Sequence, residues 1–209
     1  MNFDADCRAC PRLVHFLDEV RTCHPGYHAR PVAPFGDPAP RLLIVGLAPG
    51  LHGANRTGRP FTGDYAGVLL YQTLHKFGYA SRPESVSADD GLQLTGCRIT
   101  NAVKCLPPAN KPEPAEVREC NRYLIAELGS LPPQTGVLAL GQIAHQSVLR
   151  ALNLKAKDYP FAHDSHYDLP NGRRFYSSYH CSRYNTQTKR LTPEMFESVF
   201  ARITADRKD

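Results

Sequence analysis

Two kinds of apolar pattern alternate along the chain. Leu42-Leu43-Ile44-Val45 and Val137-Leu138-Ala139-Leu140 are unbroken apolar runs, as expected of strands covered on both faces of a parallel sheet. The segment from Cys97 to Val103 predicts a third strand. Elsewhere the spacing is helical: Leu13, Phe16, Leu17 and Val20 behind Pro11; Val68, Leu69, Leu74 and Phe77; Val117, Cys120, Leu124 and Leu128; and a stretch from Gln142 to about Leu152. Pro170-Asn171-Gly172 predicts a hairpin turn ahead of a strand from Phe175 to Tyr179. Thr192 and Pro193 supply an N-cap and a first-turn proline to a last helix carrying Met195, Phe196, Val199 and Phe200. The order β-α-β-α-β-α predicts an α/β fold, a three-layer α/β/α sandwich around a mainly parallel sheet. One domain over residues 1–209 is expected, with the ligand site at the carboxyl ends of the strands.

Composition narrows the classes. A chain of 209 residues, 42% hydrophobic and 22% charged, can bury one substantial core. No apolar run approaches the roughly 20 residues of a membrane span, and Asp4, Asp6 and Arg8 leave the start without an apolar signal core. The expectation is a cytoplasmic monomer with no membrane partner. Lys and Arg outnumber Asp and Glu by 25 to 20, which permits a polyanionic partner without requiring one.

Seven cysteines change the picture, since a reducing compartment has little use for disulfides. Cys7 and Cys10 form a C-x2-C pair, and Cys105 and Cys120 a wider one whose second member falls inside a predicted helix. Zinc knuckles draw both ligand pairs from tight turns, so this arrangement points to an iron–sulfur cluster tying the N-terminus to the middle of the chain. Cys23, Cys97 and Cys181 are left as free thiols in the core or beside the site. His163 and His166 have metal-like H-x-x-H spacing but no third ligand pattern, and are expected at the surface.

Three segments fall at predicted strand ends. Gly46-Leu-Ala-Pro-Gly-Leu-His-Gly53 lets backbone approach a ligand closely, but it lacks both the dinucleotide spacing and a phosphate-binding lysine. Gly58-Arg-Pro-Phe-Thr-Gly-Asp64 sets an aromatic and a carboxylate in a turn; taken alone, Asp64 is as good a helix N-cap and Phe61 a staple. His180-Cys-Ser-Arg-Tyr-Asn185 ends a strand with a polar, cationic and aromatic loop.

In order and spacing these segments, with Thr100-Asn-Ala-Val-Lys-Cys105, resemble the uracil-DNA glycosylase superfamily and specifically its iron–sulfur branch. The first motif carries Leu47 and Ala48 where other branches have Asp or Glu, and this resembles family 5, whose members act on uracil and on deaminated purines such as hypoxanthine. The resemblance implies a [4Fe–4S] cluster on Cys7, Cys10, Cys105 and Cys120. It implies DNA containing uracil or deaminated purines as partner, and Asp64 as the group that orients water and stabilises the sugar cation. Hydrolysis of an N-glycosidic bond needs the nucleotide flipped out, and stacking on an aromatic, here Phe61, offsets roughly 1–3 kcal/mol of the cost. Asn101 has the donor and acceptor to read a lactam edge. His180 and the backbone N–H groups around Ala48 and Gly50 would steady charge on the departing base. Asn185 would support the water or the strand, and Arg183, Tyr184, Lys189 and Arg190 would grip DNA. Two rival readings remain: a catalytically silent iron–sulfur DNA-binding protein, and a Rossmann-like nucleotide hydrolase.

Overall fold

The computed structural model describes residues 3–206. Their sheet has six strands: β1 (Phe35–Gly36), β2 (Leu42–Gly46), β3 (Cys97–Asn101), β4 (Gly136–Leu140), β5 (Ser165–Asp168) and β6 (Arg174–Ser178), in the order β1-β3-β2-β4-β6-β5. The inner four are parallel and the two edge strands antiparallel. β2 lies between β3 and β4, so the chain leaves it on one side and returns on the other. That switch opens a crevice at the carboxyl end of β2, as parallel sheets do at such points.

Helices cover both faces. Alternate strand residues Leu42, Ile44, Leu138 and Leu140 pack with α3 (Tyr65–Lys76) and α7 (Pro193–Ala205). Their neighbours Leu43, Val45, Val137 and Ala139 pack with α4 (Pro114–Ser130) and α5 (Gln142–Ala151). A third cluster joins α1 (Pro11–Cys23), through Leu13, Leu17 and Val20, to Cys105, Cys120 and Tyr123. Arg12 of α1 reaches across to Glu116 of α4 with a paired bond, Nε to Oε1 at 2.8 Å and Nη2 to Oε2 at 2.7 Å. Thr192 caps α7 by accepting the Met195 N–H, as its position predicts. Among the described residues, no helix is long and apolar enough to cross a membrane.

Several details depart from the sequence pattern. Val68 is 53% exposed rather than buried: α3 packs Gly67 against the Phe61 carbonyl, and Leu70, Tyr71 and Thr73 join Leu69 and Leu74 on its core face. Residues 183–187, expected as loop, form a short helix α6 (Arg183–Gln187) capped by Ser182. Another short helix, α2 (Ala54–Thr57), interrupts the glycine-rich segment. Cys23 is exposed at the end of α1, in neither core nor site, while Cys97 and Cys181 are buried. His166 is exposed as expected, but His163 is half-buried and stacks on Tyr179 at 5.1 Å between centroids.

Candidate active site

A cleft of about 640 Å³ sits at the carboxyl ends of the central strands. It brings together Ala48, Gly50, Phe61, Asp64, Asn101, His180, Arg183, Asn185 and Arg190 from four separate stretches of sequence. Tyr184 and Lys189 are not among its lining; Tyr184 is 71% exposed on α6.

Phe61 forms the floor. Its φ is +53°, unusual for a bulky residue and a strain worth roughly 1–3 kcal/mol that the surrounding structure must hold. Tyr71 donates its hydroxyl to the Pro60 carbonyl at 2.9 Å, and Arg59 is locked by a 2.7 Å ion pair to Asp90 while its guanidinium lies over Phe35. Gly46 completes the arrangement: a Cβ there would strike Asn101 Oδ1 and come within 2.6 Å of Phe61 Cζ. A glycine ending β2 is therefore what lets the aromatic floor and Asn101 meet. Asn101 is 3% exposed, and its Oδ1 is buried with no hydrogen-bond partner among the described residues. Asn55 and Asn121 also bury amide atoms without a partner among those residues, but of the three only Asn101 lines the cleft, where a ligand can supply the missing hydrogen bond.

Asp64 does two things at once. Its Oδ1 accepts the Gly67 N–H at 2.9 Å, capping α3. Its Oδ2 faces the glycine loop, 3.6 Å from where a Gly50 Cβ would sit, and any side chain at Gly53 would collide with the carboxylate. Burial raises the Asp64 pKa above the usual aspartate value, against the pull of the Gly67 and Ala66 N–H groups. Cys181 lies close enough to Asp64 for that charge, added to burial, to hold the thiol protonated.

His180 stands in the opposite wall, its ring nearly parallel to Phe61 at 26° with centroids 5.8 Å apart. Two van der Waals layers need roughly 7 Å, so a base cannot slide between the rings and must lie with an edge toward the imidazole. Desolvation pushes the His180 pKa down to about 4, leaving a neutral ring at physiological pH. Asn185 donates its Nδ2 to the His180 carbonyl at 2.8 Å, fixing the backbone that carries the histidine.

The cleft also contains residues that carry no signature in the sequence. Asn110, Gln142, Phe161 and Tyr179 line it from a proline-rich turn, the first residue of α5 and the β6 side of the sheet. Only their place after strand ends marked them, and that signal is shared by many solvent-facing residues.

Away from the cleft, Cys7, Cys10, Cys105 and Cys120 surround one small cavity with Leu13, Val103 and Tyr123. Burial, then the neighbouring Cys120, Glu116 and Cys7, push the Cys10 pKa up to about 11. Two donors already point at sulfur: Arg122 Nη2 to Cys7 Sγ and the Lys104 N–H to Cys120 Sγ, each at 3.2 Å. Among the described residues, no three His, Cys, Asp or Glu side chains close up as ligands of one ion. Four thiols lining one cavity are a donor set of the kind that ligates iron–sulfur clusters.

The sequence profile of the uracil DNA glycosylase superfamily matches residues 33–204, which span every strand of the sheet from the first edge onward and every cleft residue. The chain is 52% identical over 198 residues to a type-5 uracil-DNA glycosylase of Thermus thermophilus, covering 92% of this chain and 90% of that one. It is 42% identical over 207 residues to the type-5 uracil-DNA glycosylase of Pyrobaculum aerophilum, covering 96% and 89%. A type-4 uracil-DNA glycosylase of Archaeoglobus fulgidus matches more narrowly, 33% over 121 residues and 57% of this chain. The chain therefore belongs to the uracil DNA glycosylase superfamily and, within it, to the type-5 group.

Proposed function

We propose that this enzyme excises uracil and other deaminated bases from DNA by hydrolysing the N-glycosidic bond, leaving an abasic site. The observation that carries the reading is the pairing, in one cleft, of an unpartnered Asn101 Oδ1 with the Asp64 oxygen that does not accept the Gly67 N–H. A flipped base stacked on Phe61 presents its lactam edge to Asn101 and its oxygen to His180, whose neutral ring donates one hydrogen bond. Asp64 orients water toward the anomeric carbon and steadies the oxocarbenium-like cation. Asn185 acts through His180 by holding its carbonyl. Incubating the protein with a uracil-containing duplex should yield free base and an alkali-labile site. A nucleotide hydrolase or a silent DNA-binding protein would yield neither.

Thiolates of Cys7, Cys10, Cys105 and Cys120 hold a [4Fe–4S] cluster in this reading, with Arg122 and the Lys104 N–H as donors to its sulfurs. Bound there, the cluster supplies a structural crosslink, since hydrolysis moves no electrons.

Substrate breadth follows from the lining. The first motif offers Leu47 and Ala48 with no acidic side chain to bar a larger ring. Uracil and hypoxanthine share the edge that Asn101 reads, whereas thymine adds a methyl and adenine reverses the donor and acceptor. Single-turnover release from four otherwise identical duplexes should show both deaminated bases freed and both normal bases spared. Release of uracil with none of hypoxanthine at high enzyme would refute this breadth.

The pH profile gives a separate check. Asp64 must be ionised to act, and burial raises its pKa, so base release should fall off on the acid side at a pH above the ordinary aspartate range. His180, at about 4, adds no limb near neutrality. A rate flat down to the ordinary aspartate pKa would contradict the role given to Asp64.

A further inference from the structure

Four arginines that tie the fold together are paired with carboxylates, Arg12 with Glu116, Arg59 with Asp90, Arg98 with Glu127 and Arg202 with Asp164, and the buried Arg173 is held by four main-chain carbonyls. Arg190 is held differently. It is exposed, lines the cleft, and has no carboxylate within ion-pair distance among the described residues. What holds it is an aromatic ring: its guanidinium carbon stands 4.6 Å from the centroid of Tyr179. Arg183 has a looser version of the same contact, 6.0 Å from Tyr65, at the edge of the useful range.

Tyr179 is itself well braced. His163 stacks on its ring at 5.1 Å and 24°, Phe161 lies 6.2 Å away, and the residue immediately precedes His180. The chain from His180 to Leu191 closes on itself: Asn185 bonds the His180 carbonyl, and the Leu191 N–H donates to the Asn185 carbonyl at 3.0 Å. Lys189 takes a φ of +55°, which turns the backbone at the residue before Arg190. A guanidinium held over a ring face by cation–π attraction still has N–H groups to offer, and those groups match phosphate oxygens.

We propose that Tyr179 is a positioning residue whose ring presets Arg190 at the cleft mouth as a clamp for one phosphate of the strand bearing the damaged base. The proposal rests on the DNA glycosylase reading above. Without the ring, Arg190 is a free surface side chain that must lose its rotamer freedom on every encounter with DNA. With it, the grip is made in advance and its distance from His180 and Phe61 is fixed. The registry between phosphate and base is then built into the fold.

The test measures binding to a uracil-containing duplex by fluorescence anisotropy across several salt concentrations, and base release separately in single turnover. Arg190→Ala should weaken binding about tenfold and lower the salt slope by about 0.9, the loss of one phosphate contact. Tyr179→Ala should weaken binding about fivefold with a reduced slope, while Tyr179→Phe, which keeps the ring face, should restore both. The double variant should bind no worse than Arg190→Ala, because the ring acts only through the arginine. Tyr179→Leu keeps bulk without a π face, so it should still weaken binding and reduce the slope where softening of the fold by alanine would be the alternative explanation. Costs that multiply in the double variant, an unaltered salt slope in Tyr179→Ala and Tyr179→Leu, or failure of phenylalanine to rescue would each overturn the proposal. Wild-type protein that binds this duplex but releases no base would sink the glycosylase reading and leave the Tyr179–Arg190 coupling to be judged on binding alone.

Discussion

Replacing Asp64 by Asn should slow single-turnover base release by roughly 10²–10⁴-fold, the range expected when a positioned acid–base group is removed. At about 1.36 kcal/mol per decade, that is roughly 3–5 kcal/mol of transition-state stabilisation. The substitution suits the question because Asp64 has a second duty. Its Oδ1 caps α3 through the Gly67 N–H, and asparagine caps helices about as well as aspartate. Fold and cap survive while the charge does not. Asp64→Ala would lose both and confuse a cost of about 1 kcal/mol in capping with the loss of chemistry.

A stability measurement sharpens the point. The Asp64 pKa is raised in the folded state, so the ionised carboxylate at neutral pH works against folding, and that cost appears as pH rises through the raised value. Asp64→Asn should therefore be at least as stable as the wild type at pH 7 while far less active. A fold that keeps a destabilised charge in a cleft is accepting a loss of stability for function. An unchanged release rate would remove Asp64 from the mechanism and shift the burden to His180. A marked drop in melting temperature would mean that the carboxylate charge stabilises the start of α3, opposite to the sign its raised pKa gives.

The dual role of Asp64 also shows where a sequence is readable and where it is not. Leu42 to Val45 and Val137 to Leu140 announce central strands because a strand covered on both faces must be apolar at every position. Ser165 to Asp168 is an edge strand covered on one side only, its burial alternates, and no apolar run betrays it. α6 is built from polar residues around one N-cap, and helical periodicity has nothing apolar to act on there. At the site, the glycine-flanked motifs were legible because close approach leaves a mark: Gly46 and Gly53 are small so that Phe61, Asn101 and Asp64 can be near. Tyr179 and Asn110 reach the cleft through the direction of a strand end and the path of a turn. Those are properties of the assembled sheet, and no local pattern encodes them.

Removing one thiolate should have the other large effect. The purified protein should be brown with about four irons per chain, as a four-thiolate cluster requires. In Cys120→Ser the iron should be lost, and the N-terminal segment carrying Cys7 and Cys10 should become open to proteolysis. Cys120 sits on α4 at 8% exposure, and the ties left between that segment and the core include the Arg12–Glu116 bond, the Arg122–Cys7 contact, the Phe3–Tyr123 ring contact at 5.8 Å and the Leu13–Leu17–Val20 packing. Loss of one disulfide from a small domain costs roughly 2–5 kcal/mol, and a cluster, which joins three chain segments, goes as a unit. At about 2–4 °C per kcal/mol for a chain of this size, the melting temperature should fall by roughly 10 °C. Catalysis should suffer less, and through one route: Cys105 lies four residues beyond Asn101 on the same segment, so slack at the cluster reaches the base-reading carboxamide before it reaches Asp64. Cys23→Ser, at an exposed thiol on the far end of α1, should keep both iron and melting temperature. Colourless protein with stoichiometric zinc would refute the cluster. Brown protein whose Cys120→Ser variant melts at the wild-type temperature would keep the cluster and discard its role as the tie between the N-terminus and α4.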